Sequence, residues 1–285
     1  MTLAVLVLAY TRPAVLRATV DMFAGSGATF FVHVDAKAEL SAFAALQGRP
    51  DVVFIEDRQT VFWGGFNMVL AEIALIRHAL RHAAFDRLVL ISDDTVPIKA
   101  IGKLTEALAA PTLWIVQNSL PEFRWRYDAF CYFDSLATSP RHVHPRERLF
   151  GPPEFADLRD MMKLHQAGKQ PLDRLVHGPQ WWCLSGEVAA AVLALHDADS
   201  HRRESFRFSA IPDESYIHTL VAQCAGHWPK RGSPVFTDFD RDPKPYVFHN
   251  IDELAAAFAS PRPFARKIAE DATLLAAIAA RVAQG

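Results

Sequence analysis

Cysteine is scarce in this chain: Cys131, Cys183 and Cys224 are the only three among 285 residues. They are far apart and odd in number, so they form neither a disulfide framework nor the paired spacing of a zinc site, and a reducing compartment is expected. An excess of one charge is missing too. Thirty Lys and Arg stand against 32 Asp and Glu, a net charge of −2. That balance excludes a global basic field for nucleic acid or for an anionic membrane. The apolar stretch Thr2–Tyr10 is too short to span a bilayer. It has no charged leader and no small-residue cleavage site, so it reads as a buried strand and not as a signal peptide. No dinucleotide fingerprint is present, because Gly25-Ser26-Gly27 precedes a strand instead of following one. No phosphate loop occurs either, so any bound phosphate needs side-chain cations. A Gly-x-Ser-x-Gly elbow is absent, and Cys183 lies in an apolar run that disfavours its thiolate, so nucleophilic catalysis has no support.

What the chain does contain is a regular alternation of strand and helix signals. Residues 3–9 are continuously apolar, as a parallel strand covered on both faces would be. A turn at Thr11-Arg12-Pro13 leads into a helix near 14–24. Further strands are predicted at 29–34, 51–55 and 87–91, with helices at 67–82 and 101–108. This order implies an α/β fold with a mostly parallel, doubly wound sheet. Beyond residue 110 the pattern loosens. Strands at 112–116 and 181–184, a helix at 186–196 and an Ala-rich helix at 269–283 frame long loops, one of them the basic, aromatic stretch Phe123–His144. No internal repeat or low-complexity linker divides the chain, and a single domain over 1–285 is expected.

In open parallel sheets ligands bind beyond the carboxyl ends of the strands. Three predicted strands end in suitable groups: Ala9-Tyr10-Thr11, Asp35-Ala36-Lys37 and Ser92-Asp93-Asp94. Asp35 could accept from a ribose or a base, or simply cap its turn. Tyr10 could stack on a base. Cations for a diphosphate are available at Lys244, Arg266 and Lys267 near the C-terminus. Asp93-Asp94 invites a metal reading, but adjacent acids lack the Asp-x-Asp spacing and point to opposite faces. Contacts from these acids to donor or acceptor hydroxyls are preferred, with Asp94 the acceptor candidate. His78 with His82, and His142 with His144, have ligand-like spacing without a partnering acid, and read as solvated histidines. One of Trp181 and Trp182 could offer a flat platform to a sugar ring. In Pro212-Asp213-Glu214 the proline and the acids suit the first turn of a helix. A carboxylate fixed there is either a general base or only part of a helix start.

Five segments occur in an ordered series: Phe31-Val32-His33-Val34-Asp35 with Lys37, Trp63-Gly64-Gly65-Phe66, Gln180-Trp181-Trp182-Cys183-Leu184-Ser185, Pro212-Asp213-Glu214 and Phe264-Ala265-Arg266-Lys267. In this order the chain resembles the core-2/I-branching β-1,6-N-acetylglucosaminyltransferases and their peptide xylosyltransferase relatives, over about residues 3–270. The resemblance implies a GT-A-type fold and an inverting, metal-independent transfer from a UDP-sugar, with no cofactor. By the same resemblance Glu214 matches the catalytic base, Lys267 the diphosphate cation and Lys244 a second such cation. Leu8, Ala9 and Tyr10, with Asp35, Ala36 and Lys37, match the uridine-binding strand ends. Arg124 and Trp125 fall where acceptor contacts are made. Residues 1–110 would then be the nucleotide-binding half, and 111–285 the acceptor-binding and catalytic half. Thr95-Val96-Pro97 departs from the family's Asp-aromatic-Pro.

The implied partners are a UDP-sugar and a saccharide or glycolipid acceptor, with no nucleic acid and no transmembrane segment. N-acetylglucosamine is the expected sugar, with xylose or glucose as alternatives. A cytoplasmic enzyme of cell-surface polysaccharide or glycolipid synthesis, in peripheral contact with the membrane at most, is expected. The competing readings are a saccharide-binding module without turnover and a metal-dependent nucleotide-sugar enzyme using Asp93 and Asp94.

Overall fold

The N-terminal apolar run becomes an inner strand of the main sheet. In the computed structural model, which describes residues 1–119, 123–128, 134, 175–207 and 209–285, it forms β1 (Leu3–Ala9). The chain continues through α1 (Pro13–Met22), β2 (Thr29–Val34), β3 (Val52–Phe54), α2 (Phe66–His82) and β4 (Arg87–Ser92). It then runs through β5 (Val96–Pro97), α3 (Ile101–Ala109), β6 (Leu113–Trp114) and the short α4 (Trp125–Asp128). After the next described residues come β7 (Cys183–Ser185), α5 (Gly186–Ala198), α6 (Ser200–Arg207), α7 (Tyr216–Cys224), β8 (Lys230–Arg231) and β9 (Val235–Thr237). The last elements are α8 (Ala255–Ala259), β10 (Phe264–Arg266) and α9 (Ala272–Gln284).

A seven-stranded sheet has the order β3-β2-β1-β4-β7-β6-β8. The pairs β3–β2, β2–β1 and β1–β4 are parallel, while β7 runs antiparallel to both β4 and β6. The expected mostly parallel α/β architecture flanked by helices is therefore present. Its continuous apolar strands have the predicted cause: Ala4 to Val7 and Leu88 to Ile91 are fully buried, so neither face needs polar alternation. A three-stranded sheet, β5-β10-β9, lies alongside. It has its own apolar cluster, in which Val96, Phe248 and Ala265 pack with Leu274 and Ile278 of α9 and Val15 of α1.

The second half differs from its prediction in detail. The strand expected at 181–184 is Cys183–Ser185, and the one expected at 112–116 is only Leu113–Trp114. The polar segment before Pro212 is helical, as α6. Pro212–Glu214 is a separate 3-10 turn and not the opening of the following α-helix. Ser215 breaks the helical geometry at φ −143° before α7 begins. Cys131, His142, His144 and most of the stretch between Phe123 and His144 lie outside the described residues.

Candidate active site

The carboxyl ends of β1, β2, β4 and β10 meet along one edge. Asp93 fastens it: its Oδ2 accepts from the backbone N–H of Tyr10 (2.7 Å), Thr11 (2.9 Å) and Arg12 (2.9 Å). Burial and the neighbouring Asp94 charge outweigh those donors and push the Asp93 carboxyl up to about 6. The expected strand-end residues do come together here. The N–H of Asp93 donates to the Leu8 carbonyl (3.0 Å), that of Asp35 to Ala9 (2.9 Å), and that of Ala36 to Gln59 (2.9 Å). Asp35 caps its own turn, accepting from the Lys37 N–H at 2.8 Å and pairing with Lys37 Nζ at 2.9 Å. Lys37 Nζ also lies 4.2 Å from the Phe62 ring centroid and 5.6 Å from that of Tyr10, which is 50% exposed. An open aromatic ring beside a strand end can receive a planar base.

Three residues expected at different subsites form one stack. Arg266 grips Asp94 with two hydrogen bonds, Nε to Oδ1 and Nη2 to Oδ2, both 3.0 Å. The same guanidinium lies 4.5 Å from the ring centroid of Trp181, which is 6% exposed. Asp94 thus serves Arg266 first, and Arg266 covers the tryptophan. Burial alone would raise the Asp94 carboxyl, but Arg266 and the Ser92 hydroxyl hold it below the usual range. Lys267 follows directly. Burial and the Arg266 charge lower its ammonium below the usual lysine value. Lys244 is exposed, on a loop closed by a hydrogen bond from Tyr246 N–H to the Asp238 carbonyl (2.9 Å) and by the Arg241–Asp238 pair (2.7 Å).

Glu214 ends the 3-10 turn with its side chain 32% exposed. Arg126 Nη1 donates to Glu214 Oε2 at 2.7 Å, and His177 Nε2 lies 3.0 Å from the same oxygen. Burial raises the Glu214 carboxyl, but the contacts from His177 and Arg126 prevail and hold it below its ordinary value. Phe123 backs both partners. Its ring stacks on His177 at 4.7 Å, and the Arg126 guanidinium lies 4.3 Å from its centroid. Asp213 is buried beside this group. Burial and the Glu214 charge push its carboxyl up to about 7, and Oδ1 has no partner among the described residues.

Backbone contacts lock this turn. Gly178 N–H donates to the Glu214 carbonyl (2.9 Å), Ser215 Oγ to the Val176 carbonyl (2.7 Å), and His177 exchanges two hydrogen bonds with Asn118. A Cβ at Gly178 would sit 2.4 Å from the Val116 carbonyl oxygen, so only glycine lets the two segments meet. Ile211, just before the turn, has φ 54° and ψ 52°, left-handed geometry that costs a β-branched residue about 1–2 kcal/mol. It is held by its N–H to the Gly64 carbonyl (2.9 Å), while Ala210 N–H bonds the Arg126 carbonyl (2.8 Å). This accounts for the Trp63-Gly64-Gly65-Phe66 motif. Gly64 (φ 78°) offers the carbonyl, and a Cβ on Gly65 would lie 2.1 Å from Oδ1 of Asp134, whose Oδ2 caps α2 at Asn67 N–H (3.1 Å).

Arg126 and His177 were not singled out in the sequence. Arg126 stands in the basic, aromatic stretch, beside the half-buried Arg124 and Trp125, whose side chain is outside the described set. His177 had no local signal, because its partner lies on another segment. Asp93, weighed as a metal ligand, instead ties down the end of β1.

Comparisons with known proteins follow the same lines. A family profile described as Branch: Core-2/I-Branching enzyme matches residues 3–233. Among curated proteins none matches the chain significantly. Of solved structures, a galactosyltransferase LgtC in complex with donor and acceptor sugar analogs is similar at 9% identity and TM-score 0.46, over 98% of this chain and 95% of that one. The apo-form glycosyltransferase GlyE of Streptococcus pneumoniae TIGR4 is similar at 9% identity and TM-score 0.33, over 95% and 55% respectively.

Proposed function

The chain belongs to the core-2/I-branching enzyme family and is a glycosyltransferase, and from this premise we propose that it moves a sugar from a UDP-sugar to a saccharide hydroxyl with inversion and without a metal ion. The observation that carries the reading is Glu214. It is a half-exposed carboxylate whose Oε2 is held by Arg126 and His177. Its Oε1 has no hydrogen-bond partner among the described residues and remains available to an acceptor hydroxyl. Two donors on one oxygen fix the carboxylate, and a fixed carboxylate within reach of the hydroxyl is what general base catalysis requires.

In the proposed reaction the acceptor oxygen attacks the anomeric carbon from the face opposite the diphosphate. Its proton passes to Glu214 as the bond to the leaving oxygen breaks. Negative charge then grows on the diphosphate, where preorganised cations lower the barrier, and Lys267 would supply one of them. The occupied carboxylates of Asp93 and Asp94 favour a clamp of side-chain cations over a metal. Tyr10 and the ends of β1 and β2 would receive the uracil base and ribose. N-acetylglucosamine is the proposed sugar, ahead of xylose and glucose. The acceptor is a saccharide in a cell-surface polysaccharide or glycolipid precursor, and the reaction is assigned to the cytoplasm. UDP release on adding a saccharide acceptor is the direct assay. Glu214→Gln should reduce the turnover number by about 10²–10⁴-fold and leave UDP affinity intact. Near-normal turnover in that variant would remove Glu214 from the role of base. UDP-sugar binding with no release against any acceptor would favour a saccharide-binding module.

A further inference from the structure

Two cations stand at the donor edge without a hydrogen-bonded acid among the described residues. Arg12 is half-buried where α1 leaves β1, and Lys267 is half-buried just past β10. Both are tied to the end of β4. Arg12 N–H bonds the Asp93 carboxylate at 2.9 Å, and Ile268 N–H bonds the Asp94 carbonyl at 2.9 Å. At the end of β4 the Lys267 ammonium is repelled by the Arg266 and Arg12 guanidiniums and attracted by the Asp94 and Asp93 carboxylates.

The neighbouring acids do not relieve this repulsion by hydrogen bonding. Asp93 Oδ2 takes three backbone N–H groups, and Asp94 gives both oxygens to Arg266. Backbone donors at the start of α1 are engaged as well, since Ala14 N–H bonds Glu270 Oε1 at 2.7 Å and Pro13 has none. An anion arriving at this edge would therefore meet side-chain cations. Two half-buried cations tied to one strand end, neither hydrogen-bonded to an acid among the described residues, suit a multiply charged anion.

We infer that Arg12 and Lys267 together form the cationic seat of the donor's diphosphate, with Arg12 in the place expected of Lys244. This rests on the nucleotide-sugar reading of the site. Arg12 is a clamp residue with a forked set of donors, suited to two non-bridging oxygens of the distal phosphate. Lys244 is exposed on its loop, whereas Arg12 and Lys267 are half-buried.

The test is calorimetric titration with UDP, UMP and uridine on the full chain. The ratio of UDP to UMP affinity isolates the distal phosphate. Arg12→Gln should shrink that ratio by about ten-fold or more, the weight of one charge-assisted hydrogen bond, and leave uridine affinity unchanged. Arg12→Lys keeps the charge and should recover part of the ratio. Arg17→Gln, on the exposed face of the same helix, removes one charge as a control and should leave the ratio within two-fold. A UDP-to-UMP ratio unchanged in Arg12→Gln, or one that collapses instead in Lys244→Gln, overturns the inference while the donor reading stands. A wild-type chain that binds neither UDP nor UMP overturns both.

Discussion

The carboxyl groups of Asp213 and Glu214 are adjacent in sequence and feel opposite fields. Arg126 and His177 stabilise the charge on Glu214, while Asp213 is buried, one oxygen without a partner among the described residues, and its carboxyl at about 7. A carboxyl raised in the folded state stabilises the fold while protonated. That stability is complete below the unfolded value near 3.8 and is lost as the pH rises through about 7. Asp213→Asn removes the ionisation. Its melting temperature should exceed that of the wild type at pH 8, with the gap closing towards pH 4. A gap independent of pH would refute the assignment. At this scale the short motifs of the sequence pointed to Glu214 and Lys267 as candidates. It was silent on Arg126, His177 and Arg12, whose contacts depend on segments that meet only in three dimensions. It also assigned Asp94, Arg266 and Trp181 separately, because nothing local reveals that the arginine bridges the other two.

Among the elements, the Ile211 hinge that delivers the 3-10 turn carries a strain that can be measured. Glycine adopts left-handed geometry freely and alanine does not. Both replacements remove the half-buried side chain beyond Cβ, and they differ only in the Cβ that left-handed geometry disfavours. Ile211→Gly is expected to be more stable than Ile211→Ala by about 1 kcal/mol in urea unfolding, the reverse of the usual helix or strand order. An equal or higher midpoint for alanine would show that the position is unstrained. Element order in the first 110 residues was legible because strands buried on both faces are unbroken apolar runs, as Leu3–Ala9 shows. In the second half β6, expected over 112–116, has only two residues, and β8 is Lys230-Arg231, which no apolar period could mark. The proline and acids before α7 suggested a helix start, and the break at Ser215 became visible only with the packing of Ile211 on Gly64.

For the molecule as a whole, a donor bound as proposed would couple to stability through the sheet edge that α1, β4 and β10 share. A ligand that binds only the folded chain adds about 2.7 kcal/mol at a hundred times its dissociation constant. UDP at that concentration should raise the melting temperature by about 5 °C. Because side-chain cations are the proposed clamp, excess chelator should leave both this rise and the turnover unchanged. Loss of either on chelation, with recovery on adding manganese, would return Asp93 and Asp94 to the role of metal ligands.

Glu270 caps α1 through Ala14, a hydrogen bond spanning 256 positions, and α9 packs on the same helix through Val15. The proposed leaving-group seat would thus be closed by segments far apart in the sequence. On the ribosome, a nascent chain that has already made the first helix still lacks Lys267. Under the proposed function it would pass most of its synthesis without a completed clamp, the acceptor side with Glu214 being made first.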